Sequence, residues 1–245
     1  MKKTLITLCA VALLAIACKK ENEVAGNSLH LTGSVDGLKQ GKLYLKKIVD
    51  TSFVTIDSFT IKGNSNFEST IKIDHPEMYY LFLDRGTSKS LDNSLMFFAE
   101  PGNMTIQTTL KEFYAKTKVT GSKNNELYED YKKIKSRYTD EENQALSMML
   151  FAQKMRDTKM LDSLKDRNEK LVIRRYLSAV NFAVNNAKYD VAPYIALTDI
   201  YDANIKYLDT IQKSLTPEVS HSYYGKLLQE FVTKRKQQEA SAPTK

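Results

Sequence analysis

The chain has 245 residues, 42% of them apolar and 27% charged, with a formal net charge of +7; these are the proportions of a globular protein of one or two domains and exclude a disordered one. The basic surplus is spread, with Lys132, Lys133 and Lys135 in one stretch and Lys234, Arg235 and Lys236 in another, which reads as solvated helix faces rather than a nucleic-acid surface. Cys9 and Cys18 are the only cysteines, so the body is expected to have no internal disulfide, no Cys-x-x-Cys redox pair and no thiolate metal site.

In chain order, Met1-Lys2-Lys3 gives a basic start, Leu5 to Ile16 is almost wholly apolar, and Ala15 and Ala17 place small side chains where a peptidase needs them. That is a secretory signal. The run falls short of the ~20 residues of a spanning helix, and Lys19, Lys20, Glu21, Asn22 and Glu23 follow at once. The stretch Leu13-Leu14-Ala15-Ile16-Ala17-Cys18 resembles the bacterial lipobox. The resemblance implies a signal peptide over residues 1–17 and a new N-terminus at Cys18, the lipid attachment site, carrying diacylglycerol and an acyl chain such as palmitate. Such chains hold a protein on a bilayer at about 0.8 kcal/mol per buried methylene. The expected address is therefore the envelope of a Gram-negative bacterium. Lys19, in place of an aspartate that retains lipoproteins in the inner membrane, points to the outer membrane, on its periplasmic or surface face. Residues 18–27 read as a tether.

From residue 28 the pattern alternates with period two. Leu29 and Leu31, Leu43 and Leu45, Val54 and Ile56, Phe59 and Ile61, then Phe67, Ile71 and Ile73 form a meander of short strands with turns at Asp36-Gly37 and Gly63-Asn64-Ser65-Asn66. Met78 to Leu83 and Leu95 to Ala99 are denser and are expected to be central strands. Met104 to Leu110 and Tyr114 to Thr120 close the series. Roughly seven to nine strands over residues 28–121 predict an antiparallel β-sandwich or a strongly curved antiparallel sheet, the sandwich being the expectation carried forward.

At Gly121 the period changes to that of a helix. Ser122 is placed to cap one with Leu127, Tyr131 and Ile134 inward, and Thr139-Asp140-Glu141-Glu142 spells a capping box for a second. The second carries Leu146, Met149, Leu150 and Met155 toward Leu164. A third places Ile173, Tyr176, Leu177, Val180, Ala183, Val184 and Ala187 on one face. Ala192-Pro193 starts a fourth, Asp202 or Ala203 a fifth, and Thr216-Pro217-Glu218 a last one with Tyr224, Leu227, Leu228 and Phe231 inward, proline being favoured at a first helical position. Met148, Met149, Met155 and Met160 serve either as core filler or as a binding groove. The predicted fold class is α+β: the sandwich, then an antiparallel helical domain over residues 122–236, then a disordered tail over residues 237–245.

No catalytic constellation stands out. His30, His75 and His221 are far apart with no metal-ligand spacing, there is no Gly-x-Ser-x-Gly elbow, and Gly41-Lys42 lacks the rest of a phosphate loop. No cofactor, metal or catalytic residue is assigned. The positive lead is aromatic: Tyr79, Tyr80 and Phe82 on one strand, with Phe97 and Phe98 on its expected neighbour, are candidate contacts for a sugar or a peptide if one face of the sheet is open.

Gly33-Ser34-Val35, Gly41-Lys42-Leu43-Tyr44-Leu45, the turn and strand from Gly63 to Phe67, Glu100-Pro101-Gly102-Asn103 and Val119-Thr120-Gly121-Ser122 together resemble a domain of unknown function, of the 4369 type. That domain is found ahead of thioredoxin-like domains in TlpA-like thiol-disulfide oxidoreductase lipoproteins. Ser214 to Val219 and Ser222-Tyr223-Tyr224-Gly225 are similar to the helical linker of the same proteins. In those relatives a redox thioredoxin fold follows an Ala-Pro pair; here Ala242-Pro243 leads to Thr244-Lys245, so the expectation is a chain without that domain and without its chemistry. The resulting expectation is a non-enzymatic envelope lipoprotein that binds or scaffolds an envelope protein, peptide or glycan. The alternative is an accessory of a TlpA-like system that itself lacks the redox cysteines.

Overall fold

A computed structural model of the chain describes residues 26–86 and 91–241. The expected signal peptide and Cys18 lie outside the described residues, as do residues 87–90 and 242–245.

Eight strands come first: β1 (Ser28–Asp36), β2 (Gln40–Val49), β3 (Ser52–Lys62), β4 (Asn66–Lys72), β5 (Glu77–Asp84), β6 (Ser94–Ala99), β7 (Gly102–Thr109) and β8 (Lys118–Thr120). They form two four-stranded sheets, ordered β4-β1-β7-β8 and β3-β2-β5-β6. Alternation does the sorting, because a strand's successive side chains point to opposite faces. Leu29 and Leu31 of β1, Met104 and Ile106 of β7, Leu43 and Leu45 of β2, Leu81 and Leu83 of β5 and Phe97 of β6 fill one core between the sheets. The sandwich follows from that shared core. One pair departs from the antiparallel expectation: β1 runs parallel to β7, with Leu31 opposite Met104. The chain enters β7 from the other sheet, through Glu100 and Pro101, so no hairpin fixes its direction.

Six helices follow: α1 (Lys123–Lys154), α2 (Thr158–Asn185), α3 (Val191–Thr198), α4 (Ile205–Ser214), α5 (Pro217–Ser220) and α6 (Tyr223–Ser241). They cover the β5–β6 side of the second sheet's outer face. Met78 of β5 and Phe98 of β6 join Tyr131, Ala179, Tyr194, Leu208 and Leu228 in a second core. Phe98, Tyr194 and Tyr224 meet edge to face, with ring centroids 5.0 to 6.1 Å apart.

The joint between the halves is tight. Gly121 has φ 91°, and a Cβ there would lie 2.1 Å from the Asn103 carbonyl oxygen, so the chain turns into α1 at a point only glycine fits. Ser122 caps α1 by accepting from Asn125 N at 2.9 Å. Met78 N donates to the Tyr224 hydroxyl at 2.9 Å, and Phe98 N to Asn125 Oδ1 at 3.0 Å.

Several expectations are corrected. No helix starts at Thr139. The Thr139 hydroxyl donates to Lys135 O within an unbroken α1, and Glu142 reaches Arg175 on α2 at 2.9 Å instead of a backbone N–H. Tertiary pairing takes the side chains of the box. β6 is the outermost strand of its sheet rather than a central one; its apolar density arises because Leu95 and Phe97 face one core while Phe98 faces the other. Residues 111–116 form a turn, and the closing strand is only Lys118–Thr120. The last expected helix is two, because Ser222 ends α5 by donating to Val219 O and accepts from Gly225 N to start α6. Helix α6 continues through Ser241, past residue 236 where the sequence places the start of a disordered tail. An Arg235–Glu239 pair at i,i+4 and Ser241 donating to Gln237 O support its last turns.

Candidate functional site

The open part of the second sheet's outer face gathers the aromatic residues. In β5, Tyr79, Leu81 and Leu83 point into the sandwich, and Met78, Tyr80 and Phe82 point out. Antiparallel register sets Tyr44 of β2 opposite Phe82 and Lys46 opposite Tyr80, so these four side chains share one face. A bulge at Leu45/Lys46 shifts the β2–β3 register by one residue and strengthens the local twist. The twist carries Phe53 of β3 across the face. Its ring stands edge-on to Tyr80 at 5.0 Å and 86°, and to Phe82 at 5.1 Å and 82°. Lys46 Nζ sits 4.8 Å from the Phe82 ring centre and 5.3 Å from that of Tyr44. The Tyr44 hydroxyl donates to Asp84 at 3.4 Å.

The helices cover one side of this cluster and leave the other open. Tyr80 and Met96 pack against the second core, whereas Phe53 is 50% exposed. Burial raises the Tyr80 hydroxyl above the ordinary phenol value, so it stays a neutral donor and acceptor at physiological pH. The arrangement offers flat ring surfaces, a hydroxyl and an ammonium within one patch, the chemistry of stacking and hydrogen bonding.

A second concavity lies along the other side of α1. It is a cleft of about 370 Å³ lined by Met96, Tyr114, Lys118, Asn125, Glu129 and Lys132, among others. Lys132 pairs with Glu129 at 2.7 Å and stands over the rings of Tyr114 and Tyr128.

Of the aromatic candidates from the sequence, Tyr80 and Phe82 are at the open face. Tyr79 is not; it is 2% exposed inside the sandwich, where burial and the Glu77 carboxylate push its hydroxyl up to about 12. Neighbours on a strand face opposite ways, so Tyr79 and Tyr80 could not both reach one ligand. Sequence reasoning missed Tyr44, Lys46 and Phe53. They arrive from two other strands through register and a bulge. His30 lies on β1 beside Thr70, and His221 ends α5 against Pro217 O. No group of metal-ligating side chains occurs among the described residues, and no described helix is long and apolar enough to cross a membrane.

No curated protein matches the chain. Among solved structures, the crystal structure of transthyretin from Sparus aurata is 18% identical, with 38% of this chain and 97% of that chain covered and a TM-score of 0.29; an overlap of that size bears on neither fold nor ligand. The matching family is described as a domain of unknown function (DUF4369), over residues 29–128. The matched stretch begins in β1, ends in α1 and takes in the capped turn at Gly121 and Ser122. The sandwich with the start of α1 is thus the part of this chain that is similar to that domain of unknown function.

Proposed function

We propose that the protein is an envelope lipoprotein, anchored through Cys18 to the outer membrane of a Gram-negative bacterium, that binds rather than transforms its ligand. The ligand surface is the open aromatic face of Tyr44, Lys46, Phe53, Tyr80 and Phe82, and the ligand class is a sugar ring or an extended peptide. The observation that carries the reading is Phe53, half exposed and edge-on to Tyr80 and to Phe82, the latter also under Lys46. Leaving a phenylalanine in water forgoes part of the ~2 kcal/mol that its burial contributes, and a stacked ligand would recover it. The chain has no tryptophan and 14 tyrosines, of which Tyr44 and Tyr80 stand at the site, so a ligand there changes part of the tyrosine emission and comparison with Phe53→Ala assigns that change to the face. Titration with a panel of envelope glycans and peptides should quench that emission for at least one class. Phe53→Ala should weaken that binding about tenfold, roughly 1.4 kcal/mol. Equal affinity in the variant, or turnover of a panel member, would overturn the reading.

A second reading is that of an accessory to a TlpA-like thiol-disulfide oxidoreductase system. Its support is the likeness of the segments around Ser214 to Val219 and Ser222 to Gly225 to the helical linker of such proteins. Deleting the gene should then shift the thiol redox state of envelope proteins, and an unchanged state counts against it.

A further inference from the structure

Helices α1 and α2 form an antiparallel hairpin, tied by Glu142–Arg175 at 2.9 Å and by Tyr131 against Phe182. Beyond Glu142, α1 runs on through Lys154, about 20 Å at 1.5 Å per residue. The buried residues of this outer half, Ala145, Ala152, Leu164 and Leu171, belong to neither core. The two helices bury only a narrow seam against each other, yet Ala145 to Ala152 is apolar almost all round, the pattern of a helix that something covers.

Leu146 and Leu150 are exposed on the flank of Lys135, and further exposed side chains fall into two rows. On α1, Met148, Phe151 and Met155 fall at i, i+3 and i+7 and are 38%, 57% and 62% exposed. On α2, Arg167, Lys170 and Arg174 fall at the same spacing, all exposed. Among the described residues none of these three cations has an ion-pair partner. Lys135 of α1 reaches Asp199 and Tyr176 of α2 packs into the second core, which marks the flank of the hairpin that faces the body. Counted at 3.6 residues per turn, both stripes lie on the opposite flank, the apolar one beside the basic one. A groove of about 700 Å³ runs along the basic stripe, with Asp166 its lining carboxylate and Ile173 its apolar member.

We infer that this outward flank of the α1–α2 hairpin docks on an anionic lipid bilayer. Methionine and phenylalanine enter the acyl boundary, while the arginines and the lysine meet the headgroup phosphates. Charge complementarity selects the occupant: a row of unpaired cations next to a flexible apolar row fits a negatively charged apolar interface. The inference uses the proposed envelope address only as its setting, because the docking needs no acyl chain.

The test uses the chain from residue 18 with Cys18→Ser, which keeps every described residue. It should sediment with vesicles containing phosphatidylglycerol, not with pure phosphatidylcholine vesicles, and be released by high salt. Arg167→Glu with Lys170→Glu and Arg174→Glu should cut partitioning at least about tenfold. Phe151→Ser with Met155→Ser should do likewise, with circular dichroism melting showing each variant folded. Failure of the parent chain to sediment, or folded variants that bind as it does, would overturn the inference. So would a concentration-dependent dimer that Phe151→Ser dissolves, since the stripe would then be a self-interface. Palmitate labelling of the wild-type chain tests the anchor separately.

Discussion

The Glu100 carboxylate and the Asn124 side-chain amide meet at 2.7 Å, one from the end of β6 and the other from the first turn of α1. The same carboxylate accepts Lys123 N at 2.7 Å and Asn124 N at 3.3 Å, and Asn124 Oδ1 accepts Val191 N at 3.0 Å. One acid thus satisfies two of the open N–H groups of α1 and lies at the positive end of its dipole. One asparagine passes the link on to α3.

Glu100→Ala should destabilise the protein by about 1–3 kcal/mol, the range for losing a helix-start cap and stranding the partly buried Asn124 donors. Because the lock joins both halves, the wild type is expected to unfold in urea with coincident far-ultraviolet dichroism and tyrosine fluorescence transitions. In the variant the helical half is expected to unfold at lower urea than the sandwich, read by amide hydrogen exchange in each half. A midpoint unchanged from wild type would show that the lock contributes nothing.

Tyr224→Phe removes one oxygen from the second tie between the halves. Met78 N then has lost its partner in a buried place, at a cost of about 1–3 kcal/mol, although the ring packing on Phe98 and Tyr194 survives. Burial raises the Tyr224 hydroxyl well above the phenol range, so the loss should be the same from neutral to mildly alkaline pH. Chemical unfolding at several pH values measures both the size and the flatness.

Gly121→Ala should be more harmful than either. The position needs positive φ, and the new Cβ would press on Asn103 O with no flexible atom to give way. Steric strain of this kind places the substitution in the upper tail of single mutants, above about 3 kcal/mol. Low soluble yield or a melting temperature far below that of Gly63→Ala, whose Cβ meets nothing within 4 Å, is the expected result.

Much of this architecture is legible from local chemistry. Alternation at Leu29 and Leu31 or Leu43 and Leu45 fixes which face is inward, and the Ser122 and Thr216 caps sit where serine and threonine accept the N–H groups three residues on. What fails is what depends on a distant partner. The Thr139–Glu142 box obeys every local rule, but Arg175 lies across the hairpin and takes the glutamate. Leu146 and Leu150 have helical periodicity and are nonetheless 53% and 59% exposed, because α1 there runs past the body, and Ile173 and Leu177 are 50% and 47% exposed because α2 turns only its Tyr176 side to the second core. Phe53 enters the aromatic face through a bulge that residue types alone do not announce. Two of the five site residues, Tyr80 and Phe82, could be named from one strand; the other three required knowing its neighbours.

Asp190 offers a prediction about pH. It is 6% exposed at the start of α3, and its Oδ1 has no hydrogen-bond partner. Burial raises its carboxyl above the ordinary value of 3.8, Ser222 and His75 pulling it back in part and Glu100 adding to the rise. A carboxyl whose folded value lies above its unfolded one holds its proton more tightly in the fold. Its favourable contribution is full below the unfolded value and is lost as pH rises through the raised folded value. Asp190→Asn carries no such proton. The stability of wild type minus that of the variant should therefore fall as pH climbs from below 3.8, then level once the native carboxyl has ionised. Urea unfolding of both proteins across that range gives the difference directly, with the other carboxylates largely cancelling. A flat difference, or one that rises with pH, would mean that the folded protein does not penalise charge at this position.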